Sequence, residues 1–234
     1  SQEEINALLN GISPEDTENT KMTEKTLSDE EKDVIGEVSN IGMGASSTTL
    51  SSLLNKRVVI TAPQVSYSTW DELSNEYDRP CVFIQIYYKE GLEGSNVLLI
   101  KDIDVKYITN LMMGGDGSNL EEELTELHLS AISEAMNQMM GTAATSLSTF
   151  LETRVDITPP TAVLIDLNDN VNELDIEEFL KERFVKVAFK MEIGDEVNTE
   201  IMQLYPFEFA KSLYNKFIKV EENAGNKIKE AKCK

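Results

Sequence analysis

Apolar positions along the chain follow first a helical period and then a strict alternation, and this order occurs twice. A capping box at Ser28 and Glu31 predicts the start of a long helix. On a helical wheel, Ile35, Val38, Gly42, Ala45, Thr49 and Leu53 share one side of it, while Asp33, Glu37, Asn40 and Gly44 share the other. Short strand pieces are predicted over 58–60 and 65–67, on either side of Pro63. The runs CVFIQIYY (81–88) and SNVLLIK (95–101) flank the turn-rich KEGLEG and predict a hairpin. Residues 102–113 return to a helical period, which Gly114 and Gly115 end. A second long helix is predicted from about Thr125, with Ile132, Ala135, Met139 and Phe150 on its apolar side. A strand over 162–167, an alternating strand over 184–193 and its hairpin partner over 199–205 come next. Pro206 opens a closing helix that turns Ala210, Leu213, Tyr214 and Phe217 inward. Past Val220 the pattern weakens, and 221–234 read as the start of a linker.

The recurrence is a duplication. Residues 33–63 reappear at 130–160, an offset of 97, with about 14 of 31 positions identical. Glu37 matches Glu134, Asn40 matches Asn137, Gly44 matches Gly141 and Pro63 matches Pro160. The halves 28–115 and 124–220 each read helix, strand pieces, hairpin, helix. They are predicted to join about a pseudo-twofold axis as one α+β domain over 28–220, with both polar helix faces exposed. Ahead of it, SQEEINALL (1–9) places Ile5, Leu8 and Leu9 on one helical face. Nine residues cannot hold a helix alone in water, so the stretch is either a frayed tail or a peptide that folds in a partner's groove. Residues 10–27 are polar, carry Pro14 and read as a flexible linker.

Composition narrows the function. A formal charge of −21 over 234 residues argues against nucleic acid and against anionic membrane surfaces. Cys81 and Cys233 lack metal-ligand spacing and read as thiols of a reducing compartment, and no apolar run is long enough to cross a bilayer. A cytoplasmic protein without membrane insertion is expected. His128 is the one histidine, so catalytic triads and zinc centres lack parts. The glycines of 42–44 lie inside a helix and cannot cradle phosphate, and the acid pairs Asp102/Asp104 and Asp166/Asp169 read as solvated surface. What remains is Glu37 with Asn40, and Glu134 with Asn137. One such pair on a helix is ordinary surface; its duplication in register makes it a candidate site.

The spacing of Asp33, Glu37, Asn40 and Pro63, repeated by Ser130, Glu134, Asn137 and Pro160, resembles the motif of the CheC/CheX/FliY family of chemotaxis phosphatases. The resemblance implies a pseudo-twofold domain with an antiparallel sheet and two long exposed site helices. It implies hydrolysis of the aspartyl phosphate of the response regulator CheY, with Asn40 and Asn137 orienting water and Glu37 and Glu134 pairing with a partner lysine. Asp33, Ser130, Pro63 and Pro160 complete the motif. No cofactor of the chain's own is implied, since magnesium is expected on the CheY partner. SQEEINALL is similar to the peptide with which flagellar switch proteins capture phosphorylated CheY, and the combination is most like the FliY branch. That branch implies FliM, FliG and FliN-like partners, a place at the cytoplasmic face of the flagellar basal body, and a FliN-like domain expected beyond residue 234. The rival expectation is a non-catalytic module that binds phosphorylated CheY or serves as a scaffold of the switch.

Overall fold

The structure is a computed structural model that describes residues 26–77, 80–118, 120–121, 123–169 and 176–232. The candidate peptide with Ile5, Leu8 and Leu9, nearly all of the linker that follows it, and Cys233 lie outside the described residues. The first half contains α1 (Asp29–Leu54), β1 (Val58–Ile60), β2 (Gln64–Ser68), α2 (Trp70–Glu76), β3 (Cys81–Glu90), β4 (Gly94–Lys101) and α3 (Asp102–Met112). The second contains α4 (Glu126–Phe150), β5 (Asp156–Ile157), β6 (Thr161–Ile165), a 3-10 turn (Glu178–Lys181), β7 (Phe184–Ile193), β8 (Val197–Tyr205) and α5 (Phe207–Lys232).

The two duplicated helices, α1 and α4, begin on reciprocal caps. Glu31 N–H donates to Ser28 Oγ (3.1 Å) and Ser28 N–H to Glu31 Oε2 (2.7 Å). At α4 the Glu31 position is filled by His128, whose Nδ1 accepts from Thr125 N–H at 3.1 Å. The single histidine is therefore a capping residue. The α1 helix ends on Asn55 and α4 is followed by Glu152, repeat-related residues that both take positive φ (48° and 47°).

All pairings in the sheet are antiparallel, in the order β1-β7-β8-β4-β3-β5, with β2 also on β7 and β6 also on β3. The two halves thus exchange strands. The pieces that follow α1 pair with the hairpin of the second half, and those that follow α4 pair with the hairpin of the first. The registers repeat: Ser68 faces Phe184 as Ile165 faces Cys81, and Ile60 faces Met191 as Ile157 faces Tyr88. The pseudo-dyad passes between Leu99 and Met202, where β4 meets β8. Periodicity predicts the strands but not this exchange, because the pattern that buries one face of a short strand does not say which hairpin supplies the neighbour.

The sheet is covered on both faces, which is why β3 reads as a continuous apolar run rather than an alternating one. Val82, Ile84 and Ile86 pack under the long helices, while Cys81 and Phe83 pack with Trp70, Leu73 and Leu180 from α2 and the 3-10 turn on the opposite face. Those two short elements were absent from the pattern: each is about one or two turns long, too short for a helical period to register. The thiol of Cys81 lies in this second core, where burial pushes it up to about 12. At the sheet end of α3, Asp104 accepts from Thr199 Oγ1 at 2.5 Å, and its burial raises the carboxyl above its ordinary range. The closing helix does not stop near Val220. It continues to Lys232 through Glu, Ala and Lys residues of good helix propensity, so 221–232, weakly patterned in the sequence, is helical. Among the described residues no helix is long and apolar enough to cross a membrane.

Candidate functional site

The long helices α1 and α4 pack against each other antiparallel, and small residues let them approach. A methyl placed on Gly42 would lie 3.5 Å from Ala143 Cβ; in the symmetry-related place Ser46 Oγ donates to Met139 O (2.9 Å). Thr49 and Thr142 hydroxyls meet at 2.8 Å across the same seam. The wheel put Ala45, Thr49 and Leu53 on the buried side, yet they are half-buried at the seam, while Met43, Ser46 and Leu50 are fully inside. Small hydroxyl residues read as polar on a wheel but bury readily once bonded, as Ser46 also is to Gly42 O at 2.8 Å.

This packing turns the opposite faces outward. Asp33, Glu37, Asn40 and Gly44 are exposed, as are Ser130 and Glu134; Asn137 and Gly141 are half-buried. Because the helices run antiparallel, the two Glu–Asn pairs stand at opposite ends of the seam. A methyl placed on Gly44 or Gly141 would meet nothing within 4 Å, so neither glycine is needed for packing. Gly44→Ala and Gly141→Ala are each expected to stabilise the fold by up to about 1 kcal/mol, read as a higher midpoint of thermal unfolding. A lower midpoint would show that the bare backbone has a packing role.

The prolines reach the site by the strand exchange. Ser51 Oγ accepts from Val58 N–H (2.9 Å), as Ser148 Oγ accepts from Val155 N–H (2.8 Å), tying each helix end to the strand that follows. Thr61 N–H then donates to Lys190 O (3.0 Å) and Thr158 N–H to Tyr87 O (2.9 Å), pinning each proline loop to the hairpin of the other half. The result on the first helix is an open groove of about 470 Å³ lined by Lys32, Asp33, Glu37, Asn40, Pro63 and Val65 among others. All four predicted motif residues of the first copy meet there. In the second copy Lys32 is replaced by Leu129, Gly36 by Ser133 and Ala62 by Pro159, and Pro160 is buried where Pro63 is half-exposed. Glu37 makes no hydrogen bond or ion pair to a described residue, whereas Glu134 Oε1 accepts from Gln138 Nε2 at 2.7 Å.

Chemically, the first site sets the carboxylates of Asp33 and Glu37 and the carboxamide of Asn40 beside the Lys32 ammonium, and the second sets the Ser130 hydroxyl, the Glu134 carboxylate and the Asn137 carboxamide along one helix. Among the described residues no group of three or more His, Cys, Asp or Glu side chains is placed to hold a metal ion. Such a surface can bind a cation through a carboxylate and orient a water through its amide.

Known proteins resemble the chain in sequence and in fold. The CheC-like family matches residues 30–67 and 127–164, the two site helices with their proline loops. The flagellar motor switch phosphatase FliY of Bacillus subtilis (strain 168) is 43% identical over 221 residues, which is 94% of this chain and 58% of that protein, so the chain spans little more than half of this relative. The CheY-P phosphatase CheC of the same organism is 27% identical over 127 residues, 52% of this chain and 60% of that one. The crystal structure of Thermotoga maritima FliY superposes with a TM-score of 0.75 at 38% identity, covering 83% of this chain and 98% of that one. With its motif duplicated in register and its fold shared along nearly the whole of a solved relative, the chain belongs to the CheC-like family.

Proposed function

We propose that the chain is a phosphatase that hydrolyses the aspartyl phosphate of phosphorylated CheY at the flagellar switch. The observation that carries the reading is the Glu–Asn pair repeated on the outer faces of two packed helices. An aspartyl phosphate is an activated acyl phosphate, and the response regulator is expected to bring magnesium and a lysine. The missing contribution is a water held in line with phosphorus. Asn40 and Asn137 supply it by entering the partner's site and accepting a hydrogen bond from the water with the carboxamide oxygen. Glu37 and Glu134 pair with the partner lysine and set the register of the docked helix. Asp33, Ser130, Pro63 and Pro160 shape the surround. This division of labour needs no metal or cofactor from the chain itself. The names of the FliY and CheC relatives support the reading.

Residues 1–9 act as a tether for phosphorylated CheY, Ile5, Leu8 and Leu9 being the face that docks. Deleting them is expected to raise KM for phosphorylated CheY about tenfold or more and to leave kcat nearly intact, measured by phosphate release over a range of substrate. An unchanged KM would remove the tether from the scheme. In the same picture the protein works in the cytoplasm at the basal body, with FliM, FliG and FliN-like proteins as neighbours.

The decisive experiment is to follow phosphate loss from phosphorylated CheY with and without this chain. No acceleration, together with phosphorylation-dependent binding, would leave a binding or scaffolding module in place of an enzyme. If the bare helix at Gly44 and Gly141 is where CheY docks, the stabilising Gly44→Ala and Gly141→Ala changes also slow turnover.

A further inference from the structure

The two copies of the motif differ one turn beyond the glutamate. At Glu134 the residue four positions on is Gln138, whose amide donates to the Glu134 carboxylate at 2.7 Å. The equivalent residue after Glu37 is Ile41, which has no donor to offer. Three further differences lie around the same pair. Asn137 is half-buried where Asn40 is exposed, and Pro160 is buried where Pro63 is partly open. Lys32, which lines the first groove, has Leu129 in its place in the second.

We propose that Gln138 is a positioning residue that holds Glu134 back, so that the Glu37–Asn40 copy is the stronger of the two sites toward the phosphorylated partner. This rests on the docking role given above to the two glutamates. A partner lysine that approaches Glu37 meets a carboxylate with no competitor among the described residues. One that approaches Glu134 displaces or shares the Gln138 amide. Intrahelical pairs of this spacing are weak, so the handicap from Gln138 alone is about twofold in affinity. The deeper setting of Asn137 acts separately, on turnover, because the carboxamide must be free to enter the partner's site.

The test isolates each copy. Asn137→Ala leaves the first site and Asn40→Ala leaves the second. The first-site protein is expected to have at least about twice the kcat/KM of the second-site protein. In the Asn40→Ala background, Gln138→Ala is expected to lower KM for phosphorylated CheY about twofold with kcat unchanged; an unfolded variant cannot produce such a gain. In the Asn137→Ala background, the reciprocal change Ile41→Gln is expected to raise KM by a similar factor. Beryllofluoride-loaded CheY supplies a binding readout that needs no hydrolysis. Equal kcat/KM from the two single-site proteins, or a Gln138→Ala variant with unchanged KM and unchanged affinity for the beryllofluoride form, overturns the proposal while leaving the phosphatase reading intact. If neither background speeds phosphate loss, the phosphatase reading fails and the affinity shifts alone decide the role of Gln138. Absence of both hydrolysis and binding overturns the two together.

Discussion

Replacing Asn40 and Asn137 together by alanine is expected to reduce the acceleration of phosphate loss from phosphorylated CheY by about 10²-fold or more, the usual contribution of one positioned catalytic group. The fold should be unharmed. Neither asparagine bonds to another described residue, so truncation leaves no orphaned partner, and alanine is the better helix former at both places. KM should change little, because Glu37 and Glu134 still pair with the partner. Each single variant keeps one working site and loses only part of the rate, so the fall on combining them should exceed what either single change suggests. Measurement of kcat by phosphate release, with thermal unfolding as the control, separates this outcome from simple misfolding. A double variant with wild-type kcat at wild-type stability would sink the assignment of water positioning to these amides.

The pieces that could be foreseen are those whose cause is local. Ser28 and Glu31 cap α1 through groups three residues apart, and Phe184–Ile193 alternates because one face of β7 lies in the core. The Glu–Asn face followed from helical geometry, and the duplication picked it out from other polar faces. What escaped depends on distant groups. Ser46 is polar by type, and only the approach of α4 supplies Met139 O as its acceptor. The exchange of β1 and β2 onto the second half, and of β5 and β6 onto the first, involves strands of two to five residues. Such strands are too short to carry a partner preference in their own pattern. His128 enters the sequence only as the one histidine, and its repeat position carries the capping role: it stands where Glu31 completes the first capping box. Ile41 and Gln138 differ in sequence plainly enough, but that the glutamine reaches Glu134 needed coordinates.

The exchange also explains why the sites are rigid. Each proline loop leaves its own helix and is fastened to the other half within a few residues, by Thr61 to Lys190 and by Thr158 to Tyr87. A site helix therefore cannot tilt without disturbing a strand of the opposite hairpin. Positioning of an in-line water tolerates little error, so this double anchorage suits the proposed chemistry.

The same interlock predicts that two repeat-related glycines respond very differently to alanine. Gly91 and Gly194 both sit in hairpin turns with positive φ, 80° and 58°, where an added Cβ carries a penalty of about 1–2 kcal/mol. At Gly194 the new methyl would meet Glu196 Oε2 at 2.2 Å, the end of an exposed flexible side chain that can swing away. At Gly91 it would meet Arg154 O at 1.9 Å and Arg154 C at 2.8 Å, backbone on the path from α4 to β5. That backbone cannot yield alone. It is held by Ser148 to Val155 and by Arg154 Nε to Glu90 at 3.0 Å, and β5 is paired to β3 beyond it. Gly91→Ala is thus expected to destabilise the domain by about 3 kcal/mol, for a fall in unfolding midpoint of roughly 6–12 °C, against about 1 kcal/mol and a few degrees for Gly194→Ala. Because the strain enters where α4 joins its proline loop, the Gly91 variant should also lose turnover from the Glu134–Asn137 site while the Glu37–Asn40 site keeps its rate, a difference that the Asn40→Ala and Asn137→Ala backgrounds resolve. Equal midpoints for the two glycine variants would show that the β5 crossover is not the rigid anchor described here.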